Sequence, residues 1–193
     1  MVRKGILFVI SGPSGVGKGT IKDALLRELQ DIKLSISTTT RPMRAGEVEG
    51  RDYFFLSPEE FSDKLANDEF LENARVYSNM YGTPRKYVMD NLQNGYDVLL
   101  EIDIQGALKV KEKMPAGVFI FIQPPDFEAL KQRINGRGKD SPQTIQTRLA
   151  ASQEEMDMVI HYDYAIINDD LDEAVNKVQS IIIAERCRVQ NII

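Results

Sequence analysis

The stretch that most constrains this chain is Gly12-Pro13-Ser14-Gly15-Val16-Gly17-Lys18-Gly19-Thr20. An apolar run, Gly5 to Ile10, precedes it, and a helical pattern, Ile21 to Gln30, follows. Strand, glycine-rich turn and helix in that order are the context a phosphate-binding loop needs. Glycines let the backbone curl until successive N–H groups point at one anion, and the helix adds its own free N–H groups and the positive end of its dipole. Lys18 is placed to reach β- and γ-phosphates as a point charge. The pattern GxxxxGK[ST] is met at Gly12, Gly17 and Lys18. Gly19 stands where a hydroxyl residue is usual, and the hydroxyl comes at Thr20. Whether Thr20 touches a metal directly or through water is left open. The plainer alternative is a glycine-rich turn with no ligand.

Buried-strand patterns recur after this loop, alternating with helical ones. Residues 33–37 read as a short strand broken by Thr38 to Pro42, and 41–53 as a polar, turn-rich segment. Ser57-Pro58-Glu59-Glu60 is a helix start, with Ser57 as N-cap, Pro58 in the first position and Glu60 three residues on; this helix should reach about Asn67. Strands are expected at 53–56, 70–77, 97–103, 118–122 and 164–168. Helices are expected at 84–94, stopped by Gly95, from Gln105 to Met114, at 127–135, from Ser141 to about Val159, and at 172–188. The fold class is therefore α/β. A parallel-sheet core (1–34, 84–125 and 158–193) carries the phosphate loop between flanking helices. A small mixed α/β lobe (35–83) and a helical lid (126–157) are inserted into it. Ser11-Gly12, Glu101 to Asp103 and Asn168-Asp169 all fall at strand carboxyl ends, where such sheets bind ligands.

Composition narrows the partners. With 193 residues and a net charge of −5, the chain can bury a full core but offers no broad basic footprint, so no nucleic-acid partner is expected. The single cysteine, Cys187, excludes an intrachain disulfide. No apolar run is long enough for a signal peptide core or a membrane span, so the expectation is a cytoplasmic protein with no membrane partner. Nothing separates a dimer interface from core, and a homo-oligomer stays open. His161, without a second histidine or a cysteine near it in sequence, reads as structural.

Several ordered segments carry a family resemblance. The GKGT loop is similar to that of nucleoside-monophosphate kinases. The run from Ser35 to Phe55 (SISTTTRPMRAGEVEGRDYFF) resembles the GMP-binding segment of guanylate kinases. So do Phe70-Leu71-Glu72, Asn79 to Thr83, Glu101 to Gly106, Gly136-Arg137-Gly138 and Ile167 to Asp170. The resemblance spans almost the whole chain. It implies transfer of a phosphoryl group from ATP, with Mg2+, to GMP or dGMP in purine nucleotide metabolism. It places Gly12 to Thr20 on the ATP phosphates and Asn168 near the adenine. Arg41, Arg44, Tyr53 and Tyr81 grip the GMP phosphate by this resemblance, as a dianion wants guanidinium forks and hydroxyl donors. Glu72 takes the paired N1–H and N2–H2 donors of guanine, with Ser37 and Thr83 on the other polar atoms of the base. Glu101 contacts the base or ribose side, and Asp103 an outer-sphere magnesium. Lys18, Arg137 and Arg148 carry charge to the migrating phosphoryl group; Arg133 is as well explained by a surface ion pair. Taken singly, each has a plain reading: Arg41 and Arg44 as a solvated turn paired with Glu47 and Glu49, Glu72 as a strand-surface acid, Tyr53 and Tyr81 as packing. The alternative function is a non-catalytic guanylate-kinase-like interaction module, a class that typically lacks the phosphate loop kept here.

Overall fold

The computed structural model describes residues 4–29, 31–76, 78–135 and 142–192, the last as backbone alone at 142–145, 147, 148 and 192. Its central sheet begins with β1, Leu7–Ser11, whose five residues are all buried. A strand packed on both faces has no polar side to offer, so it reads as a continuous apolar run and sits mid-sheet. Its neighbours are β7, Asp97–Glu101, and β8, Val118–Gln123, and the outer positions are taken by β2, Ile32–Leu34, and β9, Tyr164–Ile167. The order is β2-β7-β1-β8-β9 and every pairing is parallel.

Strand alternation divides the core in two. Phe8, Ile10, Leu99, Ile120 and Ile122 point to one face, against Ile21 and Leu25 of α1 (Lys18–Glu28) and Val175, Val178 and Ile182 of α7 (Leu171–Arg186). Leu7, Val9, Val98, Leu100 and Phe119 point to the other. There they meet Val88 and Leu92 of α3 (Arg85–Gln93) and Ala107 and Val110 of α4 (Ile104–Lys113). Each fully buried large side chain contributes about 1.5–3 kcal/mol of transfer free energy, so this double interface dominates the stability.

A second sheet of four strands, in the order β4-β3-β6-β5, lies between β2 and α3 in the chain. Its strands are β3 (Thr38–Thr39), β4 (Phe54–Phe55), β5 (Phe70–Val76) and β6 (Asn79–Pro84). The helix α2, Pro58–Ala66, connects β4 to β5 and opens on the expected capping box: the Ser57 hydroxyl accepts from Glu60 N–H, and the Glu60 carboxylate from Ser57 N–H. Two sequence expectations change here. The strand at 33–37 ends at Leu34, because Ser35 N–H still bonds Leu99 O while Thr38 has already turned to pair with Gly82 and Phe54. Residues 79–84, where the sequence reading places no strand, form β6, the antiparallel partner of both β5 and β3. Helices α5 (Phe127–Asn135) and α6 (Pro142–Asp157) follow β8, and a short 3-10 turn, Met158–His161, leads into β9. The helix expected at 172–188 is α7, which ends at Arg186, and a short α8, Val189–Ile192, follows.

Candidate active site

The carboxyl ends of β1 and β7 and the second sheet enclose one cavity of about 430 Å³. Its lining includes Gly12, Ser14, Lys18, Ser37, Tyr53, Glu72, Tyr81, Glu101 and Asp103, nine of the residues singled out from the sequence. They come from chain positions far apart, joined only by the fold.

The phosphate loop is shaped by its neighbours. Gly12 has φ +143°, and a Cβ there would lie 2.2 Å from Ile122 O of β8. Gly17, with φ +94°, is the N-cap of α1 and supplies no side-chain cap. In contrast, α2, α4 and α7 are capped by Ser57, Asp103 and Asp170. The first N–H groups of α1 are thus left for an anion, with no acidic residue in that turn to compete. Lys18 Nζ donates to the carbonyls of Gly12 and Pro13, at 2.6 and 3.0 Å, folding the ammonium over the loop. The Val16 side chain is buried in the core, so only its backbone serves the loop. Thr20 is exposed and lies outside the cavity lining. Glu101 stands beside the start of α1, 3.7–3.8 Å from where a Gly19 Cβ would be, with Lys22 Nζ 3.6 Å away.

Glu72 is a buried, strongly perturbed acid. It is 3 % exposed; Oε1 accepts from the Thr83 hydroxyl at 2.7 Å and Oε2 is buried with no partner among the described residues. Burial raises its pKa to about 7; Thr83 opposes the rise and Asp103 adds to it, with Lys109 and Lys113 pulling it down. An acceptor oxygen held without a donor in a cavity fits a ligand that brings N–H groups. Thr83 is wholly buried and its proton goes to Glu72, so in this form it acts on the cavity through that carboxylate.

Arg41 is nearly buried and its fork is bidentate to Glu47, at 2.7 and 3.0 Å. Its guanidinium lies 5.4 Å from the Tyr53 ring centre and 5.8 Å from that of Phe55, and Tyr53 packs edge-on against Tyr81. Burial drives the Tyr53 phenol up to about 12, keeping it a neutral donor. Arg44 gives Glu47 its backbone N–H at 2.7 Å while its side chain is exposed. The plain reading of Arg41, a pair with Glu47, therefore holds in this form. Glu47, which the sequence offered only as a turn partner of Arg41, is the acid at the centre of this cluster.

Asp103 Oδ1 accepts from Gly106 N–H, capping α4 and leaving its second oxygen for another role. Asn168 is buried, with Nδ2 on Val16 O at 2.6 Å. Arg75, Gln105 and Glu155 also line the cavity and were not singled out. Strand parity assigns Arg75 to the face opposite Glu72, so periodicity could not find it. Arg137 lies outside the described residues; Arg148 falls in α6, with its side chain outside them. Among the described residues no three His, Cys, Asp or Glu side chains cluster to hold a metal, and no helix is long and apolar enough to cross a membrane.

An uncapped helix after a lysine-bearing loop, facing tyrosines and a carboxylate across one cavity, defines a phosphoryl-transfer enzyme of the phosphate-loop kinase class. The family profile described as "Guanylate kinase" matches residues 4–185. A guanylate kinase of Syntrophomonas wolfei is 59% identical over 192 residues, covering 100% of this chain and 98% of that protein. One from Clostridium acetobutylicum is 56% identical, covering 100% and 91%. The crystal structure of guanylate kinase from Anaplasma phagocytophilum superposes with a TM-score of 0.83 at 37% identity, over 98% of this chain and 90% of that one. The chain belongs to the guanylate kinase family. The catalytic reading is thereby favoured over that of an interaction module.

Proposed function

We propose that the protein transfers the γ-phosphoryl group of MgATP to GMP, and that the cavity between the two sheets is where the two nucleotides meet. The observation that carries this is Glu72, a buried acceptor without a donor, in one cavity with the Lys18 loop. Guanine brings two adjacent N–H donors for that carboxylate. Adenine does not, and would leave it buried and unsatisfied, a penalty that selects against it. Ser37 supports the base, and Thr83 orients Glu72. Tyr53, Tyr81, Arg44 and Arg41 hold the monophosphate, with Arg41 exchanging Glu47 for it. Gly12 to Thr20 cradle the ATP phosphates, and Lys18 shifts from its loop carbonyls to the γ-phosphate. The GMP phosphate is the nucleophile and is already ionised near neutral pH, so positioning and charge compensation supply the rate enhancement. Arg137 and Arg148 add positive charge from the lid segment 126–157 when it closes over the core, and residues 35–83 form the GMP-binding lobe.

Hard oxygen donors at Thr20 and Asp103 suit Mg2+, and the lack of an all-protein cage among the described residues suits an ion carried by nucleotide phosphates. When bound, Mg2+ would neutralise negative charge on the nucleotide phosphates. The use of ATP and GMP supports a cytoplasmic setting.

The test is a coupled ADP-release assay with MgATP against GMP, AMP, UMP and CMP. Turnover with GMP alone is expected. Lys18→Ala should lower kcat at least 100-fold, the scale of lost charge stabilisation in a closed site, with its melting temperature kept. Equal use of AMP would remove Glu72 from base selection, and full activity in Lys18→Ala would remove the loop from catalysis.

A further inference from the structure

Asn168 follows β9 directly, 152 residues from the loop it touches, and is 6% exposed. Its backbone N–H donates to Gln123 O at 2.8 Å, tying it to the end of β8. Its Nδ2 donates to Val16 O at 2.6 Å. A Cβ at Gly17 would stand 2.6 Å from that same nitrogen, so the carboxamide fills the space a side chain there would take. Gly17 holds φ +94° and opens α1.

A trans peptide points its C=O and its N–H in opposite directions. Holding the Val16 carbonyl inward on a buried amide therefore fixes the Gly17 N–H outward, away from the packed interior. The orientation is set by the protein's own hydrogen bond, and donors fixed in this way cost no reorganisation when an anion arrives. We propose that Asn168 is a positioning residue of the phosphate loop: it aims the Gly17 N–H at the donor nucleotide's phosphates and acts through the Val16–Gly17 peptide, not through the adenine. The inference rests on reading residues 12–20 as the phosphate site.

Inorganic tripolyphosphate, which has phosphates and no base, separates the two roles. In Asn168→Asp the carboxylate keeps the shape but loses the donor, and sets an oxygen against Val16 O. Affinity for tripolyphosphate and for MgATP should fall by the same factor, about tenfold or more for a lost buried hydrogen bond, while the KM for GMP stays unchanged. Asn168→Ala, without the added charge, should show the same split more mildly. Unchanged tripolyphosphate binding with weakened MgATP binding would overturn the proposal in favour of a base contact. A wild type that does not bind tripolyphosphate, or a Lys18→Ala that binds it equally well, would sink the phosphate-loop reading and this one with it. If neither Asn168 variant folds, the wild-type side-chain amide signals of Asn168 decide by NMR. Perturbation by tripolyphosphate but not by adenosine is expected, and the reverse would overturn the proposal.

Discussion

Glu72 shows how the burial of a single carboxyl can make stability respond to pH. Its folded pKa of about 7 lies above the ordinary 4.5, so the folded state holds the proton more tightly than the unfolded chain. The stability tied to that proton is complete below about pH 4.5 and lost as pH rises through about 7. The gap, at 1.36 kcal/mol per pH unit, corresponds to about 3 kcal/mol. Glu72→Gln cannot titrate. Urea denaturation should find the variant gaining on the wild type by about this amount between pH 4.5 and 8, and parallel profiles would show that Glu72 stays ionised. Ionised Glu72 is also the form that accepts both guanine donors, so GMP affinity should rise over the same range. The identity of this residue was legible from its segment, but its state was not: burial and the orphaned Oε2 depend on Gly106 and Thr83, brought against it from other elements. Likewise Arg41 was legible as a charged site residue, whereas its bidentate hold on Glu47 emerges only once 41–53 has folded on itself.

At the scale of elements, local chemistry predicts well wherever one segment decides its own fate. The capping box at Ser57 needs only four residues, and α2 begins where those residues say. Gly95 at φ +84° ends α3 with Tyr96 N–H on Asn91 O and its own N–H on Leu92 O, a Schellman closure written into the sequence. Replacing Ser57 with Ala should cost about 1 kcal/mol, seen as a lower denaturant midpoint, with kcat unchanged because α2 lines no part of the cavity. A loss of turnover without a loss of stability would mean that α2 communicates with the site. Short strands were less legible. Two residues, Thr38 and Thr39, carry no period, and β6 holds Gly82 and ends on Pro84, both poor strand signals. What makes them strands is pairing: Gly82 accepts the Phe70 ring so closely that a Cβ would sit 2.8 Å from it. Register to a distant partner outweighs propensity there.

On the scale of the whole molecule, the cavity is assembled from two sheets tied along β5, where Leu71 joins the core under α3 and α4 and Lys109 and Lys113 donate to the carbonyls of Asn73 and Leu71. At the first crossing Ser35 N–H bonds Leu99 O of the central sheet, and at the second β6 runs through Pro84 directly into α3. Between these crossings lie Ser37, Tyr53, Glu72 and Tyr81; beyond them lie Gly12, Lys18 and Asp103, across the same cavity. A nucleotide that touches both sets adds attraction where the protein alone has empty space, so its binding favours the approach of the sheets. The segment 35–37 suits the bend, since it is too short and irregular to resist as a strand and joins two sheets of different order. GMP should therefore lower the radius of gyration in small-angle scattering, and tripolyphosphate, which meets only the loop side, should leave it unchanged. Glu72→Ala should need a higher GMP concentration for the same contraction, because one of the contacts drawing the second sheet inward is gone. If GMP bound with full affinity and the radius stayed constant, the two sheets would already stand in their working arrangement, and the exchange of Glu47 for phosphate at Arg41 would have to occur by side-chain rotation alone.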